Sequence, residues 1–134
     1  MSEVQKISWK TKEVEKLSDS LSRQAVSGEK GTLAQLFIKR GGGAARHSHI
    51  SEEYSSIVSG AVKYIFDDRE VMVNAGEALV VPPNVPHSLI ALEDTVAVFF
   101  FSPGREDWVR GEDQYLRKQL KAETAAFKAT QSVS

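Results

Sequence analysis

The sequence predicts an all-β domain, a sandwich or barrel, followed by a C-terminal helix. Three observations carry this. Short apolar stretches alternate with turns about every eight to twelve residues. Pro82, Pro83 and Pro86 fix an extended, irregular path where a regular ladder would need backbone donors. No helical period appears before residue 104.

The elements follow in order. Residues 1–19 form a mixed, polar arm with Trp9, Val14 and Leu17 as isolated apolar positions. Ser20 to Ser27 alternates, Gly28 to Gly31 turns, and Thr32 to Lys39 returns as the second strand of a hairpin. Gly41 to Gly43 reads as a loop into His47. Tyr54 to Val58 is a strand, Ser59-Gly60 a turn, and Ala61 to Phe66 a strand. In that last strand Val62, Tyr64 and Phe66 share a face. Short strands follow at Glu70 to Val73, Ala78 to Val81, His87 to Leu92 and Thr95 to Phe101. Their turns are Asp67-Asp68, Asn74 to Gly76, the proline run and Glu93-Asp94. Phe99 and Phe100 read as core and pocket wall. Glu112 to Lys128 lacks Pro and Gly and is rich in Gln, Leu, Lys, Ala and Glu. It reads as a helix whose stripe of Leu116, Leu120 and Phe127 packs on the barrel. The whole is one domain, with the barrel over about residues 20–101 and the helix over about 112–128.

Composition narrows the function classes. Seventeen basic and eighteen acidic residues nearly cancel, so nucleic acid and anionic membrane are not expected partners. Cysteine is absent, which excludes disulfides and thiolate ligands, so a metal must be held by nitrogen and oxygen. The N-terminus has no apolar leader-like segment, and a cytoplasmic location is expected.

All three histidines fall in two short stretches. His47 and His49 are one residue apart and share a face if the segment is extended. Glu52 and Glu53 follow, and His87 lies after the proline run.

The spacing resembles that of the cupin family. The first cupin motif runs Gly, five residues, His-X-His, three or four residues, Glu, six residues, Gly. Gly41, His47, His49, Glu53 and Gly60 fill it at every interval. The second motif is matched by Gly76, Pro82 and His87, with Asn84 where a glycine is usual. Asparagine is the next-best residue for left-handed backbone. The motif's terminal Asn is replaced by Ala91 or Leu92. The resemblance covers about Leu21 to Phe101. It implies a double-stranded β-helix, or jelly-roll barrel, with His47, His49, Glu53 and His87 as ligands to one divalent metal. Glu52 is the alternative acid, since the loop length varies. Zn, Ni, Mn, Fe, Co and Cu all suit such an N/O set.

The tail adds a second likeness. Phe99-Phe100-Phe101-Ser102-Pro103-Gly104-Arg105-Glu106-Asp107 resembles the end of the uronate-ketonising cupins of pectin and alginate breakdown. Those carry Phe-Ser-Pro-Pro-Arg-Glu-Asp after the last strand. The resemblance implies a small sugar acid as ligand and active-site roles for Phe101 and Arg105, the arginine gripping a carboxylate. An acid of that family falls at Phe99, which cannot transfer a proton. Three readings follow: a metal-dependent isomerase or lyase, a non-catalytic binding or sensing cupin, and a metal-dependent dioxygenase. Tyr64 and Gln35 join the pocket wall if their strand faces point inward. The family also implies a homodimer, with exchange of the arm around Trp9 to Leu17.

Overall fold

The computed structural model describes residues 3–113 and Leu116. Among them are ten strands and one short helix: β1 (Glu15–Lys16), β2 (Leu21–Ser27), β3 (Thr32–Ile38), β4 (Gly43–His47), β5 (Glu52–Ser59), β6 (Ala61–Phe66), β7 (Glu70–Asn74), β8 (Ala78–Val81), β9 (His87–Ala91), β10 (Thr95–Ser102) and α1 (Glu106–Val109). They form two antiparallel sheets, ordered β1-β2-β3-β10-β5-β8 and β4-β9-β6-β7. The chain passes between sheets from β3 to β4 and again from β4 to β5. These crossings set the two sheets face to face as a jelly roll.

Alternation explains which side chains meet between the sheets. In β3, Ala34, Leu36 and Ile38 are buried, and in β10 Ala97, Phe99 and Phe101 are. They meet Ile57, Val62, Tyr64, Val81 and Leu89 in one core. Phe100 has the opposite parity and is not core. It lies 39% exposed on the outer face of the larger sheet. There it stands directly opposite Leu33 on one side and Tyr54 on the other, and Tyr54 stands opposite Val80. All four are exposed. An unbroken run of apolar residues hides the alternation, because in a buried strand either face can be apolar.

Two local features position the site. Gly43, read from sequence as loop, opens β4. A Cβ there would fall 1.8 Å from the Leu89 carbonyl oxygen, so glycine lets β4 lie against β9. Asn84 takes φ 64°, as its place in the second motif implied. Its backbone N–H donates to the His49 carbonyl at 2.8 Å, tying the proline turn to the histidine loop.

The arm packs along β2. Gln24 Nε2 donates to the carbonyls of Trp9 and Lys12 at 2.8 and 2.7 Å. At the other end the described helix is α1, four residues long, ahead of the stretch read as helical. Glu112 and Asp113 are not helical, and Leu116 is helical and buried. The rest of the expected helix over 112–128, with Leu120 and Phe127, lies outside the described residues. No helix among the described residues is long and apolar enough to cross a membrane.

Candidate metal centre

The ladder between β4 and β9 sets His47 opposite His87. A bulge falls between Ala44 and His47, and a bulge turns side chains off the regular alternation. His49 is not on a strand. It sits in the loop carrying the chain from β4 to β5, and Glu53 enters from β5 in the other sheet. Common strand parity therefore does not gather the first three residues. The crossing between sheets does.

The three rings pack as a triangle, with centroids 4.4 Å apart for His47 and His87, 5.1 Å for His49 and His87, and 5.4 Å for His47 and His49. Ligand atoms from the three lie within 4.8 Å of one another. Each ring is held the same way. His47 Nδ1 faces the Ala45 carbonyl at 2.6 Å, His49 Nδ1 that of Ser51 at 2.8 Å, and His87 Nδ1 that of Val85 at 2.8 Å. A carbonyl only accepts, so each Nδ1 carries the proton and each Nε2 keeps a lone pair.

Glu53 lies against two of these rings. It is 3% exposed, and its Oε1 lies 3.3 Å from His49 Nε2 and 3.5 Å from His87 Nε2. Its Oε2 accepts from the hydroxyls of Ser55 at 2.7 Å and Tyr64 at 2.6 Å. Glu52 points away and accepts from the Tyr54 hydroxyl instead. Burial pushes the Glu53 carboxyl up, and the Tyr64 hydroxyl, as a donor to it, pulls it down. Burial and the Glu53 charge push the Tyr64 phenol well above its ordinary value, so it stays a donor.

These residues fit a cation. His49 Nε2 is buried without a hydrogen-bond partner. It is a lone pair beside a carboxylate oxygen, an arrangement that only a cation or an added proton relieves. The three histidines can hold a metal, and Glu53 Oε1 is the adjacent oxygen donor.

His47 predicts how the protein behaves without metal. Burial and the neighbouring His87 push its imidazole down from 6.5 to about 4. Between those values the unfolded chain binds a proton that the folded chain refuses. The contribution to stability is fully present above pH 6.5 and gone once the pH falls through about 4. Chelator-treated protein is expected to lose roughly 3 kcal/mol from this group across that window, read as a falling Tm.

Around the cluster lie two spaces. An inner cavity with a free volume of about 30 Å³ is walled by His47, Glu53, His87, Tyr64, Arg23 and Trp108, among others. An outer cleft of about 370 Å³ is walled by His49, Ser51, Asp107 and Arg110. Arg105 lines both. Of the residues picked from the tail, Phe101 meets His49 edge-on at 5.7 Å and Arg105 lies 4.7 Å over the Phe101 ring. The guanidinium of Arg105 already bonds Asp107, Nε at 2.9 Å and Nη2 at 2.7 Å. Phe99 faces the inner cavity.

Sequence reasoning had Tyr64 as a candidate by parity, and it does reach the site. Gln35 does not, and bonds Gln24 instead. Arg23 and Trp108 were missed. Arg23 left a signal, since it shares the strand face of Leu21 and Ala25.

Two face-to-face antiparallel sheets, with three histidines and a carboxylate clustered where they meet, define a jelly-roll protein with a metal-type pocket. The cupin domain model matches residues 36–103, and the chain belongs to the cupin family. Among solved structures it is similar to an RmlC-like cupin from Shewanella frigidimarina, at 24% identity over 76% of this chain and 93% of that one, with a TM-score of 0.71. It is also similar to KdgF from Halomonas sp., at 22% identity over 75% and 95%, with a TM-score of 0.69. Bacillus subtilis oxalate decarboxylase, described with Mn(II) centres, matches at 21% identity over 78% of this chain and 31% of that one, with a TM-score of 0.65. No curated protein sequence matches the chain.

Proposed function

We propose that this cupin binds a small carbohydrate-derived acid at one divalent transition-metal ion and converts it by isomerase- or lyase-type chemistry. The ligands in this reading are His47, His49, Glu53 and His87. The observation that carries it is that His49 Nε2 and His87 Nε2 both lie within 3.5 Å of Glu53 Oε1, in a cluster with His47. The tail resemblance and the likeness to KdgF support the choice of ligand. When bound, the ion supplies Lewis acidity to a hydroxyl or carbonyl oxygen of the acid.

The chain's own residues then orient and shield. Phe101 walls the pocket against His49. Arg105, 4% exposed, brings a cation to the boundary between cavity and cleft. Tyr64 and Ser55 fix the carboxylate of Glu53 through its outer oxygen, leaving Oε1 toward the imidazoles.

One observation favours the second reading, a binding or sensing cupin without turnover. Phe99 fills the place of an acid on the cavity wall. Zinc- and manganese-loaded protein should therefore be mixed with saturated and unsaturated uronates. Calorimetry reports binding, and proton NMR reports loss of the alkene. Binding with conversion supports the enzyme, and binding alone supports the sensor. If uronates neither bind nor react, the sugar-acid reading fails.

The homodimer belongs to the same proposal. Leu33, Phe100, Tyr54 and Val80 make an exposed apolar row across four neighbouring strands, and such a row favours a second apolar face. Phe100→Glu is expected to shift the protein from dimer to monomer in sedimentation, with metal content unchanged.

A further inference from the structure

Two buried donors lack acceptors, both on residues that wall the inner cavity: Arg23 Nη1 and Trp108 Nε1. Arg23 enters from β2 and Trp108 from α1, and both wall the cavity that His47, Glu53 and His87 also line. Buried donors in native proteins are nearly all satisfied, so two orphans at one cavity point to a group that comes and goes. We propose that Arg23 and Trp108 form a second ligand subsite, which takes an acceptor oxygen of the same small acid that the metal centre binds. The proposal deepens the reading of the site given above.

The rest of Arg23 is already committed. Its Nε donates to Glu15 Oε1 at 3.0 Å and its Nη2 to Asp113 Oδ2 at 2.7 Å. Its guanidinium carbon stacks 4.2 Å from the centre of the Trp108 ring. The fork is thus fixed on two edges and one face, with Nη1 as the remaining edge. Such preorganisation suits recognition, because little rotamer freedom is left to lose on binding. Arg105 differs, since none of its buried nitrogens is without a partner.

The chemistry selects the ligand group. Both orphans are N–H donors and neither can accept, so the partner is an acceptor. One donor is cationic, so a carboxylate oxygen is the strongest partner and a carbonyl or hydroxyl oxygen the weaker one. A free volume of about 30 Å³ admits one such group and not a whole sugar. The remainder of the ligand would lie beyond the metal, toward the outer cleft.

The chain has two tryptophans, Trp9 and Trp108, so its amide spectrum carries two indole N–H signals. Trp108→Phe identifies the second by its loss. Zinc-loaded protein is titrated with galacturonate, galactose, acetate and malonate. The Trp108 indole signal is expected to move downfield and saturate with galacturonate. Arg23→Lys, which keeps the charge and loses the fork, is expected to weaken that response about tenfold or more. An equal response to galactose identifies the group as a neutral sugar oxygen. A response to galacturonate and not to galactose identifies it as the carboxylate. If acetate or malonate moves the signal and galacturonate does not, the subsite stands and the sugar-acid reading falls. If none of the four moves it, or if Arg23→Lys responds as wild type does, the subsite is overturned. The wild-type titration keeps the test decisive even where Arg23→Lys does not fold.

Discussion

Replacing His49 by alanine is expected to take the purified protein from about one metal ion per chain to almost none. Elemental analysis beside wild type reads the result. His49 is the sharpest probe because its Nε2 is buried beside the Glu53 carboxylate and makes no hydrogen bond. A structural histidine would have spent that nitrogen on a hydrogen bond. Its other nitrogen is held by the Ser51 carbonyl, so the ring cannot turn to another task without breaking a 2.8 Å bond. The substitution leaves the Asn84 N–H to His49 carbonyl bond intact, because that contact is backbone to backbone. The loop should keep its path, and the far-ultraviolet spectrum should not change. Metal protection should vanish with the ligand, so the Tm of the variant should no longer respond to chelator. Equal metal content in variant and wild type would sink the site.

Asp113→Ala is expected to be the most damaging single change away from the metal. Asp113 is fully buried and Arg23 is 3% exposed, and the two meet at 2.7 Å across 90 positions of sequence. Removing the carboxylate leaves a buried guanidinium whose other ion pair is with Glu15, itself half exposed. Breaking one side of a buried pair costs about 3–5 kcal/mol, far more than a surface bridge is worth. For a chain of this size that is a fall in Tm of about 10 °C or more. The exposed pair of Arg46 and Asp67 provides the control, since Asp67→Ala should move the Tm by little. The paired replacement Arg23→Met with Asp113→Leu is expected to recover most of the loss, because no buried charge is then left unpaired and Glu15 is half exposed. A small effect of Asp113→Ala would mean that this pair does not hold the C-terminal segment to the barrel.

Much of this was legible in the sequence. The all-β class follows from turn spacing and the proline run. The cluster of His47, His49, Glu53 and His87 follows from intervals matched to a motif. Asn84 could be assigned left-handed backbone because few other residues tolerate it. Phe99, Phe100 and Phe101 were harder. Three phenylalanines in a row give no alternation, and only the register of β10 on β3 and β5 turns Phe100 outward and its neighbours inward. The strand at Gly43 was hidden for a different reason. Three consecutive glycines look like a loop, and the need for glycine arises from the Leu89 backbone 46 positions later.

The sequence by itself determined the family, the residue types available to a metal and the exclusion of thiolate ligands. Those rest on local spacing and composition, which need no knowledge of contacts. The tertiary structure decided which carboxylate turns inward, because Glu52 and Glu53 are adjacent and opposite in parity. It decided how His49 joins the other imidazoles, through a loop crossing between sheets rather than along one strand. It also decided that Arg23 and Trp108 face the same cavity. Those two residues are 85 positions apart, and only the closing of α1 over the barrel brings a guanidinium and an indole to one wall with donors to spare.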